Sequence, residues 1–214
     1  MNENLTLHPR VLELVASRIC HDLVSPVGAV NNGVELMQEL GEDAGEEAVQ
    51  LIASSAQQAS IRLKAFRLSY GAAGTDKNVG FKEIRDAFTD LIGQGRIQAE
   101  FEPDLGVKFS MPPRGFFKVL LNLLVLAEEC NHGEGKIAVS ALEGNKGLRI
   151  LVTGNHAGFR DGAEAALRGD TAADDLDPRS VHAYVTGRFA DYFGIGLTWQ
   201  AQNDFGRIEF TLLS

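Results

Sequence analysis

Cysteine is scarce in this chain, with only Cys20 and Cys130 among 214 residues. They stand far apart and without metal-site spacing, which argues against a disulfide scaffold or a zinc module and suits a reducing compartment. Both thiols are expected as small buried packing groups. Positive charge is also short: 20 Lys and Arg face 29 Asp and Glu, a formal net charge of -9. That sign argues against a nucleic-acid partner. Long apolar runs are missing, since the longest, Val119 to Ala127, is interrupted by Asn122. It falls far short of the ~20 helical residues that cross a bilayer. No charged segment followed by an apolar one opens the chain, so no signal peptide is expected. The expectation is a cytoplasmic protein with no membrane partner. His8, His132, His156 and His182 show no ligand spacing with Cys or acids, and no metal site of the chain's own is expected.

What the sequence does have is helical periodicity in its first third. From His8 to Leu40 the pattern predicts one long helix, with Leu12, Ala16, Ile19, Leu23, Pro26, Val30 and Met37 on one seam. Residues 41–45, with a glycine at each end, predict a turn. Glu46 to Tyr70 predicts a second helix, whose stripe runs through Val49, Ile52, Ala53, Ala56, Ala59, Leu63, Phe66 and Tyr70. Two long antiparallel helices cannot bury their stripes alone. Pairing with a second copy makes a four-helix bundle, so a homodimer is expected.

His21 falls about 180° from the seam, because it stands two residues from both Ile19 and Leu23. Its imidazole is therefore expected to face solvent. Its neighbours one or two turns away are Ser17, Val24, Ser25, Gly28 and Asn32, nearly all small. Such a face lets another protein approach the ring closely. Asp22 is placed to accept a ring proton and orient the His for nucleophilic use. Pro26 removes one helical hydrogen bond and predicts a bend just after the His.

Residues 71–78 read as a polar, glycine-rich linker. The helical hairpin is assigned to residues 1–72 and a second domain to 78–214. That second part has an α+β pattern. Helices are expected at 81–94, 112–129 and 177–192, the last with Pro178 in its first turn. Strands are expected at 97–101, 136–142, 148–153, 194–201 and 207–212, the last two joined through Asn203-Asp204-Phe205-Gly206.

His21-Asp22-Leu23-Val24-Ser25-Pro26 resembles the phospho-acceptor box of sensor histidine kinases, His-acid-Leu-x-x-Pro. The longer string from Ser17 to Glu35 resembles the ChpT-type histidine phosphotransferases more closely. The resemblance extends over nearly the whole chain, and the order of elements in the second half is similar to a kinase ATP-binding domain. It implies a helical hairpin that forms a four-helix bundle on dimerisation, followed by a C-terminal α/β sandwich resembling a degenerate histidine-kinase ATPase (Bergerat) domain. Leu121 to Glu128 is similar to the kinase box Asn-Leu-Leu-x-Asn-Ala. Asn122 matches its first Asn, but Leu126 stands where the second, a magnesium ligand in kinases, belongs. Leu offers a hard cation no oxygen. Val152 to Phe159 is similar to the box Val-x-Asp-x-Gly-x-Gly, with Gly154 in place of the adenine-recognising Asp and His156 in place of a glycine. Between Arg160 and Pro178 no Gly-x-Gly phosphate cradle leads into a helix, and Asp170, Asp174, Asp175 and Asp177 would repel a triphosphate.

The resemblance thus implies a phosphotransferase that binds no ATP. His21 would shuttle a phosphoryl group between receiver-domain aspartates, and the receiver would supply the Mg²⁺. The expected partners are the receiver domain of a hybrid histidine kinase, as donor, and response regulators, as acceptors. Arg160 and Arg168, in the irregular segment, are expected to pair with receiver acids. The competing readings are an active ATP-dependent histidine kinase and a non-enzymatic dimeric scaffold.

Overall fold

The computed structural model describes residues 8–41, 45–93, 95–202 and 205–214. The lead-in at 1–7, most of the expected turn at 42–44, and Asn203 and Asp204 lie outside the described residues. Helix α1 runs unbroken from Pro9 to Leu40, with Pro9 at its first position and Pro26 inside it. Pro9 is well placed there, because the first helical N–H groups have no acceptor to lose. Helix α2 spans Gly45–Ser69 and returns antiparallel along α1. The two approach closely at Gly33, where an added Cβ would come 2.6 Å from Ile52. A larger residue there would force the helices apart.

The within-chain packing face of α1 overlaps the predicted seam only in part. Leu14, Pro26 and Gly33 are its buried residues, while Leu12 and Met37 stay exposed. Likewise α2 buries Ala48, Ser55 and Ala65 but leaves Val49 and Leu63 in solvent. The predicted stripes run partly along the hairpin's contact face, where Pro26 is buried and Ile19, Leu23, Val30 and Ile52 are half-buried, and partly beside it. Cys20 is exposed, against the expectation of burial, while Cys130 is buried.

The rest of the chain is a two-layer α/β sandwich. Helix α3 (Phe81–Ile92), strand β1 (Arg96–Phe101), helix α4 (Leu105–Lys108), helix α5 (Phe116–Cys130), strands β2 (Glu134–Ala141) and β3 (Gly147–Thr153), helices α6 (Ala163–Arg168) and α7 (Val181–Phe193), and strands β4 (Leu197–Gln202) and β5 (Arg207–Leu213) follow in order. The sheet order is β1-β2-β3-β5-β4, with β1 parallel to β2 and every other pair antiparallel. Side chains alternate as strands require. Ile137, Val139, Ile150, Val152, Ile208 and Phe210 are buried, and Arg149 and Glu209 pair on the outer face. Helix α5 is the centre of the core, with Phe116, Leu120, Leu121, Leu123 and Leu124 fully enclosed.

Two expectations fail for local reasons. Helix α7 begins at Val181 rather than 177, because the Asp177 carboxylate accepts the backbone N–H groups of Arg179 and Ser180 at 2.9 and 2.7 Å. An Asp that satisfies these donors competes with a helical turn, and its carboxyl is held below the ordinary carboxylate range first by the Ser180 hydroxyl and then by those backbone bonds. The segment expected to be irregular contains α6, six residues long.

The expected linker is also packed rather than loose. Residues 72–75 form a short 3-10 turn, and Gly74 is buried where an added Cβ would fall 1.9 Å from the Leu68 carbonyl oxygen. At the end of α2, the Lys118 ammonium donates to the carbonyls of Ser69 and Gly71 at 3.2 and 2.5 Å. The Asn122 amide donates to the same Ser69 carbonyl at 2.9 Å. Helix ends leave such carbonyls without backbone N–H donors of their own, and here α5 supplies the donors. The two halves are therefore joined by side chains as well as by the chain.

Candidate functional site

His21 lies on the outer face of α1, with its side chain 89% exposed. Its Nδ1 sits 3.2 Å from an Asp22 carboxylate oxygen. An ionised carboxylate can only accept, so this contact places the ring proton on Nδ1 and leaves the Nε2 lone pair free. Ser17, Val24, Ser25 and Asn32 are exposed around it, and Val24 is 69% exposed. A Cβ added at Gly28 would meet nothing within 4 Å. The small residues therefore leave open space rather than filling a contact within the chain.

The ring also borders a groove of about 710 Å³ between the two halves. Ser17, Arg18, His21 and Asp22 of α1 line it together with Glu128 and Glu129 of α5, Arg160, Pro178 and Arg179. Of the two arginines singled out by sequence, the structure brings Arg160 to this groove and leaves Arg168 elsewhere. Arg168 pairs with Glu164 and Asp170 at 2.8 and 3.3 Å and lies over the Trp199 ring. Arg18, Glu128, Glu129 and Arg179 were not singled out. Glu128 is largely buried, and burial, with the charge of Glu129, raises its pKa above the ordinary carboxylate range. No local pattern marks these groups, because α5 meets α1 across more than a hundred residues of sequence.

Beneath the groove, Tyr70 and His182 form a buried polar chain. The His182 Nε2 lies 2.9 Å from the Asn122 carbonyl oxygen, which can only accept. His182 therefore carries its proton on Nε2, and its Nδ1 accepts the Tyr70 hydroxyl at 2.7 Å. Full burial pushes the His182 pKa down to about 4, and partial burial pushes the Tyr70 phenol up to about 12. Both groups are held neutral.

The positions that resemble a nucleotide site are used differently. Asn122 is completely buried and spends its amide on the Ser69 and Lys118 carbonyls. Leu126 is 1% exposed, inside the apolar core. At Gly154 an added Cβ would lie 2.9 Å from the Glu134 carbonyl oxygen and 3.0 Å from the Asn131 side-chain oxygen. Among the described residues, no group of His, Cys, Asp and Glu side chains is arranged to hold a metal ion. None of the described helices is long and apolar enough to cross a membrane.

Comparison with known proteins agrees with this architecture. The family model for the histidine phosphotransferase C-terminal domain matches residues 81–205. The protein phosphotransferase ChpT of Brucella abortus (strain 2308) is 32% identical over 191 residues, covering 88% of each chain. A solved structure titled as a bacterial phosphotransferase superposes with a TM-score of 0.74 at 28% identity, over 97% of this chain and 98% of that one. On the family match and this shared identity, the chain belongs to the ChpT-type histidine phosphotransferases, the phosphotransferases of phosphorelays.

Proposed function

We propose that His21 is the residue that carries the phosphoryl group. The observation that supports it is the ring's geometry: 89% exposed, anchored through Nδ1 to Asp22, with Nε2 free. In this reading the Nε2 lone pair attacks the phosphorus of a phospho-aspartate on a receiver domain. The Asp–phosphoryl P–O bond breaks, and its electrons stay on the departing carboxylate. The ring becomes positively charged and Asp22 stabilises it through the Nδ1 hydrogen bond. A second receiver's carboxylate then attacks the phosphorus, and the N–P electrons return to Nε2. The receiver brings the Mg²⁺ that neutralises charge on the transferred group. What this chain contributes is placement of a neutral nucleophile at an uncrowded surface.

The donor in this reading is the receiver domain of a hybrid histidine kinase, and the acceptors are response regulators. They dock on Ser17, Val24, Ser25, Gly28 and Asn32, with Arg160 facing them from the other side of the groove. Arg168 is committed to its own acids and does not join that surface. The protein works as a homodimer in the cytoplasm. Val27 and Val34, then Val30 and Met37, repeat every seven residues on α1, as do Val49, Ala56 and Leu63 on α2. Most of this stripe is solvent-exposed in the single chain, and a seven-residue repeat is what a bundle seam requires. The C-terminal domain binds no ATP: Leu126 offers no metal ligand, and the space at Gly154 does not admit an Asp side chain.

The test is incubation with a hybrid-kinase receiver domain loaded with acetyl phosphate and Mg²⁺. Acid-labile phosphate on His21, lost entirely in His21→Ala, is the expected outcome. Transfer that persists in a folded His21→Ala protein overturns the assignment. Micromolar binding in a titration with ATP and Mg²⁺ overturns the statement about nucleotide.

A further inference from the structure

Arg18 stands one turn before His21 and lines the same groove. Its guanidinium is turned away from solvent. An Nη2 N–H donates to a Glu129 carboxylate oxygen, joining the hairpin to α5. The two side chains are only 19% and 13% exposed. Burial works to lower the Arg18 pKa, but the charge of Glu129, Tyr70, the Glu129 hydrogen bond and the charge of Asp22 together outweigh it, and the net shift is upward. The Arg18 guanidinium therefore keeps its charge throughout the working range. Arg18 Nε is buried with no partner among the described residues. Arg18 also reaches the crevice under Asp22, beside Arg62, Tyr70, Glu128 and His182.

Phosphorylation places about -1.5 to -2 charges on the ring. Residues three apart on a helix are neighbours, with Cβ atoms about 5–6 Å apart. A guanidinium freed from Glu129 can turn to the phosphoryl oxygens and bond them, as arginine does best. That contact would trap the phosphohistidine, whereas an intermediate has to give its group up as readily as it takes it. We propose that Glu129 sets how strongly His21 retains its phosphoryl group, by holding Arg18 against the C-terminal domain. Glu129 is a positioning residue that acts through Arg18, and the inference rests on His21 as the acceptor.

The step being tuned is the exchange Asp–OPO₃ plus His21 to Asp carboxylate plus His21–PO₃. The P–O bond breaks as the Nε2–P bond forms, and no further reactant enters. Glu129 leaves the bonds unchanged and shifts their balance. The other charged groups at the groove, Asp22, Glu128, Arg160 and Arg179, are common to every variant below.

The experiment uses the full chain and a hybrid-kinase receiver domain charged with acetyl phosphate and Mg²⁺, then desalted. The equilibrium ratio of phospho-His21 to phospho-Asp is read from the label carried by each protein after the two are separated, base-stable and acid-labile label marking histidine. For one released cation near a phosphoryl group in a water-like dielectric, Glu129→Gln is expected to raise that ratio about five- to tenfold. The double variant Arg18→Gln/Glu129→Gln is expected to return it to within about twofold of the parent, because the cation that acts is gone. If Glu129→Gln does not fold, Glu129→Asp keeps the charge but shortens its reach and shifts the ratio the same way by a smaller factor. An unshifted ratio in the folded single variant, or an equal shift in the double variant, overturns the inference. Absence of label on the parent His21 overturns the site assignment itself, which separates the two failures.

Discussion

The two halves of this molecule treat apolar side chains in opposite ways. In the α/β half, α5 encloses almost every residue it has, down to Lys118 and Asn122. In the hairpin, 32 residues of α1 yield three buried ones. The difference shows where each half meets its obligations. The sandwich closes its core within one chain, whereas the hairpin leaves its stripe and its histidine for other molecules. Composition does not separate the two, since both carry regular apolar spacing. Length does: helices this long outrun the surface that one sheet can cover.

Three perturbations sharpen that contrast. The largest effect is expected in the sandwich. Leu124→Ala removes a fully buried side chain from α5 and should cost about 2–5 kcal/mol, read by denaturant unfolding. A cost below 1 kcal/mol would show that the core re-closes around the gap. The next acts at the junction and depends on pH. Burial lowers the His182 pKa from 6.5 to about 4, so the fold favours its neutral ring. That stability is complete above pH 6.5 and is lost as pH falls towards 4, where the folded ring is finally protonated. The loss amounts to about 3 kcal/mol. A folded His182→Gln protein should lack this part of the acid slope, and identical slopes would refute it. The smallest effect on folding is expected on the hairpin. At Gly28 an added Cβ meets nothing within 4 Å, so the thermal midpoint of Gly28→Trp should stay within a few degrees. Phosphotransfer from a loaded receiver should nevertheless slow about tenfold, the equivalent of about 1.4 kcal/mol in the barrier. An unchanged rate would move the docking surface away from this face.

The parts legible in the sequence are those with a repeating period. The two long helices, the alternating strands and the outward direction of His21 all follow from spacing alone. Short elements escaped: α4 and α6 complete barely one or two turns, too few for a period to emerge. The start of α7 was set by the Asp177 side chain, which takes two backbone donors that a helix would use. The groove was the least legible part. The Arg18–Glu129 pair joins residues 111 apart, and nothing local to either one announces the other. Asn122 shows a related failure. Its resemblance to a nucleotide-box residue was visible, but its actual task depends on where α2 ends.

The junction at that helix end has a mechanical consequence. Because Lys118 and Asn122 of α5 grip the final carbonyls of α2, turning the sheet would have to drag the last coil of the hairpin with it. The angle between stalk and sheet is fixed in advance rather than found during an encounter. A visiting protein that touches both surfaces meets a ready-made corner, and spends none of its contact energy on bending one.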